Sequence, residues 1–261
     1  MNTNRMFPFV THCRNILKTK CVHQCIYCWS QGEKGLVKRF RMKGYQGEPC
    51  LAEKMFGERF KPNSFIFICD MIDLMADNIP LEYIKKVLSV AWRNPKSTFL
   101  VLTKNPKRYL ELLELDRLAN YTLLPTNIIL GATIETDLTE FNTPSQYKHY
   151  AQISHAPIPP DRLYWFTHVL KVMLERRRKL KLFISIEPIL DFDGTFKTVL
   201  YWFHEALYGI AVGYDNYFKS HPLPEPSLDK TLELINSLEN SGITIFRKTL
   251  RKAWWENEKM V

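Results

Sequence analysis

Residues 20–29 read Lys20-Cys21-Val22-His23-Gln24-Cys25-Ile26-Tyr27-Cys28-Trp29. Three thiols fall within eight residues, spaced C-x3-C-x2-C. The stretch is predicted to wrap as a loop that brings the three sulfurs to one metal centre, and thiolates favour zinc or an iron-sulfur cluster. Structural zinc asks for four tetrahedral ligands, commonly from matched C-x2-C pairs. The remaining cysteines, Cys13, Cys50 and Cys69, are scattered, so a zinc site would have to recruit Cys13, His12 or His23. Three thiolates on a four-iron cluster instead leave one iron open to a small molecule.

Outward from this loop the chain alternates strand and helix. Phe7 to His12 is predicted as the strand that delivers the chain to the loop. Ser64–Cys69, Thr98–Thr103, Asn127–Ile134, Lys181–Ile186, Ala206–Val212 and Ile243–Phe246 are apolar runs of the length and continuity expected of strands buried on both faces. Between them lie helical patterns opened by Pro80, Pro106 and Pro160, one at Gly194–His204, and one at Leu228–Ser241 closed by Gly242. In the third of these, Leu163, Phe166, Leu170, Met173 and Leu174 are expected to face the core. No glycine-rich dinucleotide fingerprint follows a strand. The expected fold is α/β, a partial (β/α)6-type parallel barrel in a single domain over residues 1–250, with 251–261 as a basic C-terminal tail. The long segment Glu135–Pro159 reads as a functional or mobile loop.

The loop resembles the cluster loop of the radical S-adenosylmethionine (radical SAM) superfamily, in which an aromatic, here Tyr27, precedes the last cysteine. The resemblance extends through Phe-Ile-Cys-Asp-Met-Ile-Asp-Leu-Met from Phe67, Leu-Thr-Lys-Asn-Pro-Lys-Arg-Tyr-Leu from Leu102, Leu-Gly-Ala-Thr-Ile-Glu-Thr from Leu130 and Ile-Ser-Ile-Glu-Pro-Ile-Leu-Asp from Ile184. These stretches look like a phage and prokaryotic subgroup of unassigned substrate that is distantly similar to spore photoproduct lyase. The resemblance implies a 4Fe-4S cluster on Cys21, Cys25 and Cys28, S-adenosylmethionine at its open iron, reductive cleavage of that molecule, and hydrogen abstraction from a substrate. It also implies an electron donor, a reductase or a protein of flavodoxin or ferredoxin type. One departure is visible: Cys69-Asp70-Met71 stands where many members carry Gly-Gly-Glu to hold the methionyl amino group.

In parallel α/β sheets ligands bind at the C-terminal strand ends. Here those ends carry Asp70 and Asp73, Lys104, Thr133 and Glu135, Ser185 and Glu187, and Tyr214 to Asn216. Carboxylates suit an ammonium group, hydroxyls suit ribose, and Lys104 or Arg162 suits a carboxylate. Tyr27, Trp29 and Tyr214 are candidate walls for adenine.

Composition bounds the rest. Hydrophobic residues make up 46% of the 261 residues, which excludes a disordered chain. With no secretory leader and no run approaching the ~18 apolar residues of a span, the expectation is a cytoplasmic protein with reduced thiols and no membrane partner. The formal net charge of +9 points to a polyanion such as nucleic acid, as substrate for repair or modification. The charged segment Gly32 to Asn63 interleaves Lys34, Lys38, Arg39, Arg41 and Lys43 with Phe40 and Tyr45, a mixture suited to phosphate contact and base stacking. The alternative from another class is a nucleic-acid-binding protein with a structural zinc or iron-sulfur site and no radical chemistry.

Overall fold

The computed structural model describes residues 7–118 and 122–257. In chain order it contains β1 (His12–Arg14), β2 (Leu17–Lys18), α1 (Leu36–Arg39), β3 (Cys50–Leu51), β4 (Phe65–Ile68), α2 (Leu81–Trp92), β5 (Thr98–Thr103), α3 (Lys107–Leu118), β6 (Ile128–Thr133), α4 (Pro159–Glu175), β7 (Lys181–Ile186), α5 (Thr195–Tyr201), β8 (Leu207–Val212), α6 (Leu228–Asn240) and β9 (Ile245–Arg247). Strands β1 and β4 to β9 form one sheet in chain order, every neighbouring pair parallel. β2 and β3 pair antiparallel in a separate ribbon.

Each parallel neighbour requires a crossover, and α2 to α6 supply five of them. The sixth, from β1 to β4, holds the cysteine loop, α1 and the β2–β3 ribbon. Prolines open α2 and α4: Pro80 is the N-cap of α2, and Pro159 begins α4. Ser227 caps α6 by accepting from Lys230 N. The sheet's outer face, including Ile66, Ile68, Phe99, Val101, Leu130, Ile184 and Ile210, packs with the apolar sides of these helices in the main core. In α4 the expected core positions Leu163, Phe166, Leu170 and Met173 are buried, but Leu174 is exposed, since one step beyond Met173 turns it about 100° toward solvent.

The inner face holds a second, aromatic core of Phe65, Phe67, Leu100, Ile129, Phe183 and Ala211. Phe7 to Val10, expected to begin the first strand, instead inserts here, and β1 starts at His12. Pro8 lacks an N–H for a ladder, and two phenylalanines are better accommodated as filling. The Phe9 ring lies 4.7 Å from Phe65 on β4 and 4.5 Å from Phe246 on β9. In a flat sheet those strands would stand about 24 Å apart at ~4.8 Å per neighbour. One ring reaches both because the sheet curls into a half barrel, the expected partial parallel barrel with seven strands.

At the C-terminal side, residues 251–257 of the expected tail pack against the 223–227 segment. Arg251 forms a two-pronged ion pair with buried Glu225 (2.6 and 2.8 Å), and Trp254 and Trp255 donate their indole N–H groups to the Leu223 and Glu225 carbonyls. Residues 258–261 of that tail and residues 1–6 lie outside the described residues. Among the described residues, no helix is long and apolar enough to cross a membrane.

Candidate active site

The three thiols lie in irregular backbone between β2 and α1. Gln24 takes a left-handed conformation (φ 45°) and turns the chain between Cys21 and Cys25. The Cys25 carbonyl accepts from Cys28 N at 3.1 Å, and the Cys28 carbonyl from Gly32 N at 2.9 Å, so the loop closes on itself. Gln31 ties its two ends: its side-chain carbonyl accepts from Cys21 N (2.7 Å), and its backbone N–H donates to Cys28 Sγ (3.2 Å).

The long 135–159 loop clamps the cysteine loop from outside. Ile26 N donates to the Ile153 carbonyl (3.0 Å), His155 N donates to the His23 carbonyl (2.8 Å), and Ser154 Oγ lies 3.1 Å from Cys25 Sγ. From β4's end, Asp73 accepts from Lys104 N (2.7 Å) and Met75 N (2.9 Å), and its Oδ2 lies 2.8 Å from His23 Nε2. Burial would raise the Asp73 carboxyl, but His23, then the Lys104 N–H and the Thr103 hydroxyl, hold it below the usual carboxylate range.

Beside the loop stands a fully buried carboxylate, Glu135. It receives Lys104 Nζ at 2.6 Å, Arg162 Nη1 at 2.6 Å, the Tyr150 hydroxyl at 3.3 Å and the Tyr27 hydroxyl. Arg162, itself fully buried, also donates to the carbonyls of Thr133 and Pro157 and to the Tyr150 hydroxyl. Burial alone would push Glu135 up; the Arg162 and Lys104 charges, with hydrogen bonds from Lys104 and Tyr27, bring it to about 2. Two cations around one carboxylate leave a surplus positive charge, and Lys104 extends that charge to Cys25, whose thiolate it favours against burial.

Tyr27, Lys104 and Glu135 are therefore brought together. Thr133 and Ser185 sit side by side in the β6–β7 register, buried, on the inner face one layer below, and neither hydroxyl has a hydrogen-bond partner among the described residues. Glu187 lies further along and pairs with Lys248 at 2.7 Å. Asp70 is held by Asn15 (2.6 Å) at the β1–β4 side, away from the Glu135 network. Tyr214, a candidate adenine wall, faces the outer core instead, where its hydroxyl meets Thr231 and Pro226: it follows Ile210 and Val212 in the alternation. Asp215 points inward; its Oδ1 accepts from Tyr217 N, its Oδ2 has no partner among the described residues, and burial raises its pKa to about 6. Tyr150, Ser154 and Lys248 carry no sequence signal of their own, because each reaches the site through the curl of the sheet or the path of a loop.

Among the described residues no three His, Cys, Asp or Glu side chains stand gathered as a ready-made metal site. The donor chemistry nevertheless fits an iron-sulfur cluster. Burial chiefly pushes the Cys21 thiol up to about 12, and the Asp73 charge and then Cys25 and Cys28 push the same way. An N–H reaches one sulfur and a hydroxyl another, the donors that thiolate ligands accept. Of the other candidate zinc ligands, Cys13 stands on β1 and interacts with Asp70, while His12 meets Thr11 through Nδ1 (2.8 Å) and His23 meets Asp73 through Nε2 (2.8 Å), each by one ring nitrogen.

No curated protein matches the chain. Among solved structures, spore photoproduct lyase complexed with dinucleoside spore photoproduct is similar, with a TM-score of 0.50, 12% identity, and coverage of 96% of this chain and 80% of that one. A cysteine-to-serine mutant of the same enzyme gives a TM-score of 0.49, 11% identity, and coverage of 96% and 78%. A double mutant of it with bound AdoMet and dinucleoside spore photoproduct gives 0.47, 12%, 95% and 78%. At 12% identity the first of these likenesses is one of fold, and it agrees with the seven-stranded half barrel. A family model described as a protein of unknown function, DUF5131, matches residues 17–155, which hold the cysteine loop, the clamp, and Glu135 with Tyr27, Lys104 and Tyr150 though not Arg162, and the chain belongs to that family.

Proposed function

We propose that this protein is a radical SAM enzyme in which Cys21, Cys25 and Cys28 hold a 4Fe-4S cluster and the inner strand ends hold S-adenosylmethionine. The observation that carries this reading is the C-x3-C-x2-C loop itself, three thiols in irregular backbone that closes on itself and is clamped by the 150–155 segment beside the buried Glu135–Lys104 pair. When bound, such a cluster supplies the electron that cleaves S-adenosylmethionine and generates a hydrogen-abstracting radical. The electron would come from a reductase or a protein of flavodoxin or ferredoxin type.

The chain's own residues have separable roles. Lys104 offers the ligand carboxylate a cation beside Cys25. Thr133 and Ser185 offer two unpartnered hydroxyls to ribose or amino groups. Tyr27, with Lys104 Nζ 5.3 Å from its ring centre, forms a wall. Glu135 is a positioning residue, since Arg162, Lys104, Tyr27 and Tyr150 already occupy it. Glu187 is held by Lys248 and Asp73 by His23, so both fix the rim, while the 150–155 clamp keeps the thiols in place and excludes water. The net charge of +9 supports a polyanionic substrate, with nucleic acid as the candidate.

The test is elemental and enzymatic. Anaerobically purified protein should contain iron and acid-labile sulfide, and should form 5'-deoxyadenosine from S-adenosylmethionine with dithionite. Cys25→Ala should abolish both. Zinc bound by four protein ligands would overturn the reading.

A further inference from the structure

The strongest unassigned feature borders the site. After Cys28 the chain turns back through Gly32 and Gly35 and enters α1, with Leu36 N donating to the Trp29 carbonyl (3.0 Å) and Val37 N to the Ser30 carbonyl (2.9 Å). A Cβ on Gly32 would lie 2.4 Å from the Cys28 carbonyl oxygen, and one on Gly35 2.4 Å from that of Ser30, so the following segment is hung tightly from the cysteine loop. From Lys34 to Gly47 it contains five cations and no acid. Lys34, Lys38, Arg39, Arg41 and Lys43 are all exposed. Among the described residues none of the five pairs with a carboxylate; Lys34 donates to Ser220 Oγ at 3.0 Å, and Arg39 lies 5.5 Å from the Phe40 ring centre.

Phe40 is 63% exposed, an unusual place for a phenylalanine flanked by two arginines. The Lys34–Ser220 bond joins this segment to the loop after β8, where Tyr217 is 49% exposed and Lys219 is exposed too. Uncompensated cations recruit phosphates, and an aromatic face beside them takes an unpaired base; duplex bases are stacked on one another and offer no free face.

We infer that residues 34–43, with the loop around Tyr217, form a docking track for a single-stranded nucleic acid, whose assignment as the substrate rests on the enzymatic reading above. Phosphates run along Lys38, Arg39, Arg41 and Lys43, and a base stacks on Phe40. The track begins at the cysteine loop, so a strand held there is carried to the strand-end mouth.

The experiment measures binding of labelled single strands of about 15 nucleotides, and of the matching duplex, against salt by fluorescence anisotropy. The wild type should prefer the single strand. Lys38→Gln/Arg39→Gln/Arg41→Gln should weaken it at least tenfold and reduce the slope of log affinity on log salt by about 2, three phosphates at ~0.7 each. Phe40→Ala should weaken it about tenfold with the slope unchanged. All these side chains are exposed, so melting curves should match wild type. Duplex binding equal to single-strand binding, or variants with wild-type affinity and slope, would overturn the track. Iron content and 5'-deoxyadenosine formation are read on the same samples. Zinc with retained strand binding overturns the radical chemistry and leaves the track standing; normal 5'-deoxyadenosine formation without strand binding does the reverse.

Discussion

Glu135 keeps its charge at zero exposure because four groups from four parts of the chain converge on it: Tyr27 from the cysteine loop, Lys104 after β5, Tyr150 in the clamp and Arg162 on α4. Its folded carboxyl titrates at about 2, against 4.5 ordinarily. A carboxyl that binds its proton less readily folded than unfolded adds stability that is complete above its unfolded value and lost as pH falls through its folded one. Stability should therefore decline between about pH 4.5 and pH 2, and Glu135→Gln should remove that part of the decline. At neutral pH the same substitution should cost about 3–5 kcal/mol, because Lys104 and Arg162 remain buried without their counter-charge. Urea unfolding of both proteins at pH 7 and pH 3 measures the two effects. A loss under about 1 kcal/mol at pH 7 would show that the buried network is not maintained by this carboxylate. The sequence marks Glu135, Lys104 and Thr133 as strand-end residues, and Arg162 as a possible carboxylate partner. That Lys104 and Arg162 both satisfy Glu135 is invisible there, because they stand 31 and 27 residues from it.

At the scale of elements, apolar runs locate β4 to β9 to within a residue or two, and prolines mark the starts of α2 and α4. The cysteine loop is different. Its i, i+4, i+7 spacing would also place three thiols on one face of a helix, so spacing alone does not dictate a loop. What settles the backbone is the turn at Gln24 and the return through Gly32 and Gly35, each pressed against a carbonyl. Neither carbonyl can step aside without breaking the bonds that close the loop. Gly32→Ala should thus lower stability by about 1–3 kcal/mol through forced overpacking. Gly57→Ala, which has nothing within 4 Å, should stay within about 0.5 kcal/mol. Thermal midpoints of the two variants make the comparison, and equal midpoints would mean that the loop relaxes around an added methyl group. The clamp at 150–155 is likewise beyond sequence reading, since its holds on the cysteine loop are mainly backbone bonds that no side chain announces.

The whole molecule depends on curvature, which the strand pattern does not encode. Alternation tells which residues share a face, and the polar strand ends tell which rim binds, but only the path of the segment after β9 brings Lys248 to Glu187 and Arg251 to Glu225. The inner aromatic filling sustains that curl. Phe7 meets Phe183 at 5.1 Å and stacks on Phe9 at 5.5 Å, and Phe9 spans from β4 to β9. Were Phe7 to Val10 an ordinary edge strand, truncating its side chains would matter little. As filling, Phe7→Ala and Phe183→Ala should each cost about 3–5 kcal/mol, the range for a large buried ring. Their double mutant should cost less than the sum by about 0.5–1.5 kcal/mol, because the two rings touch edge to face and the second truncation enlarges an existing void. Denaturant midpoints with constant slope measure the cycle. A Phe7→Ala loss below about 1 kcal/mol, or strict additivity with Phe183→Ala, would show that the N-terminal segment rests on the half barrel without filling it.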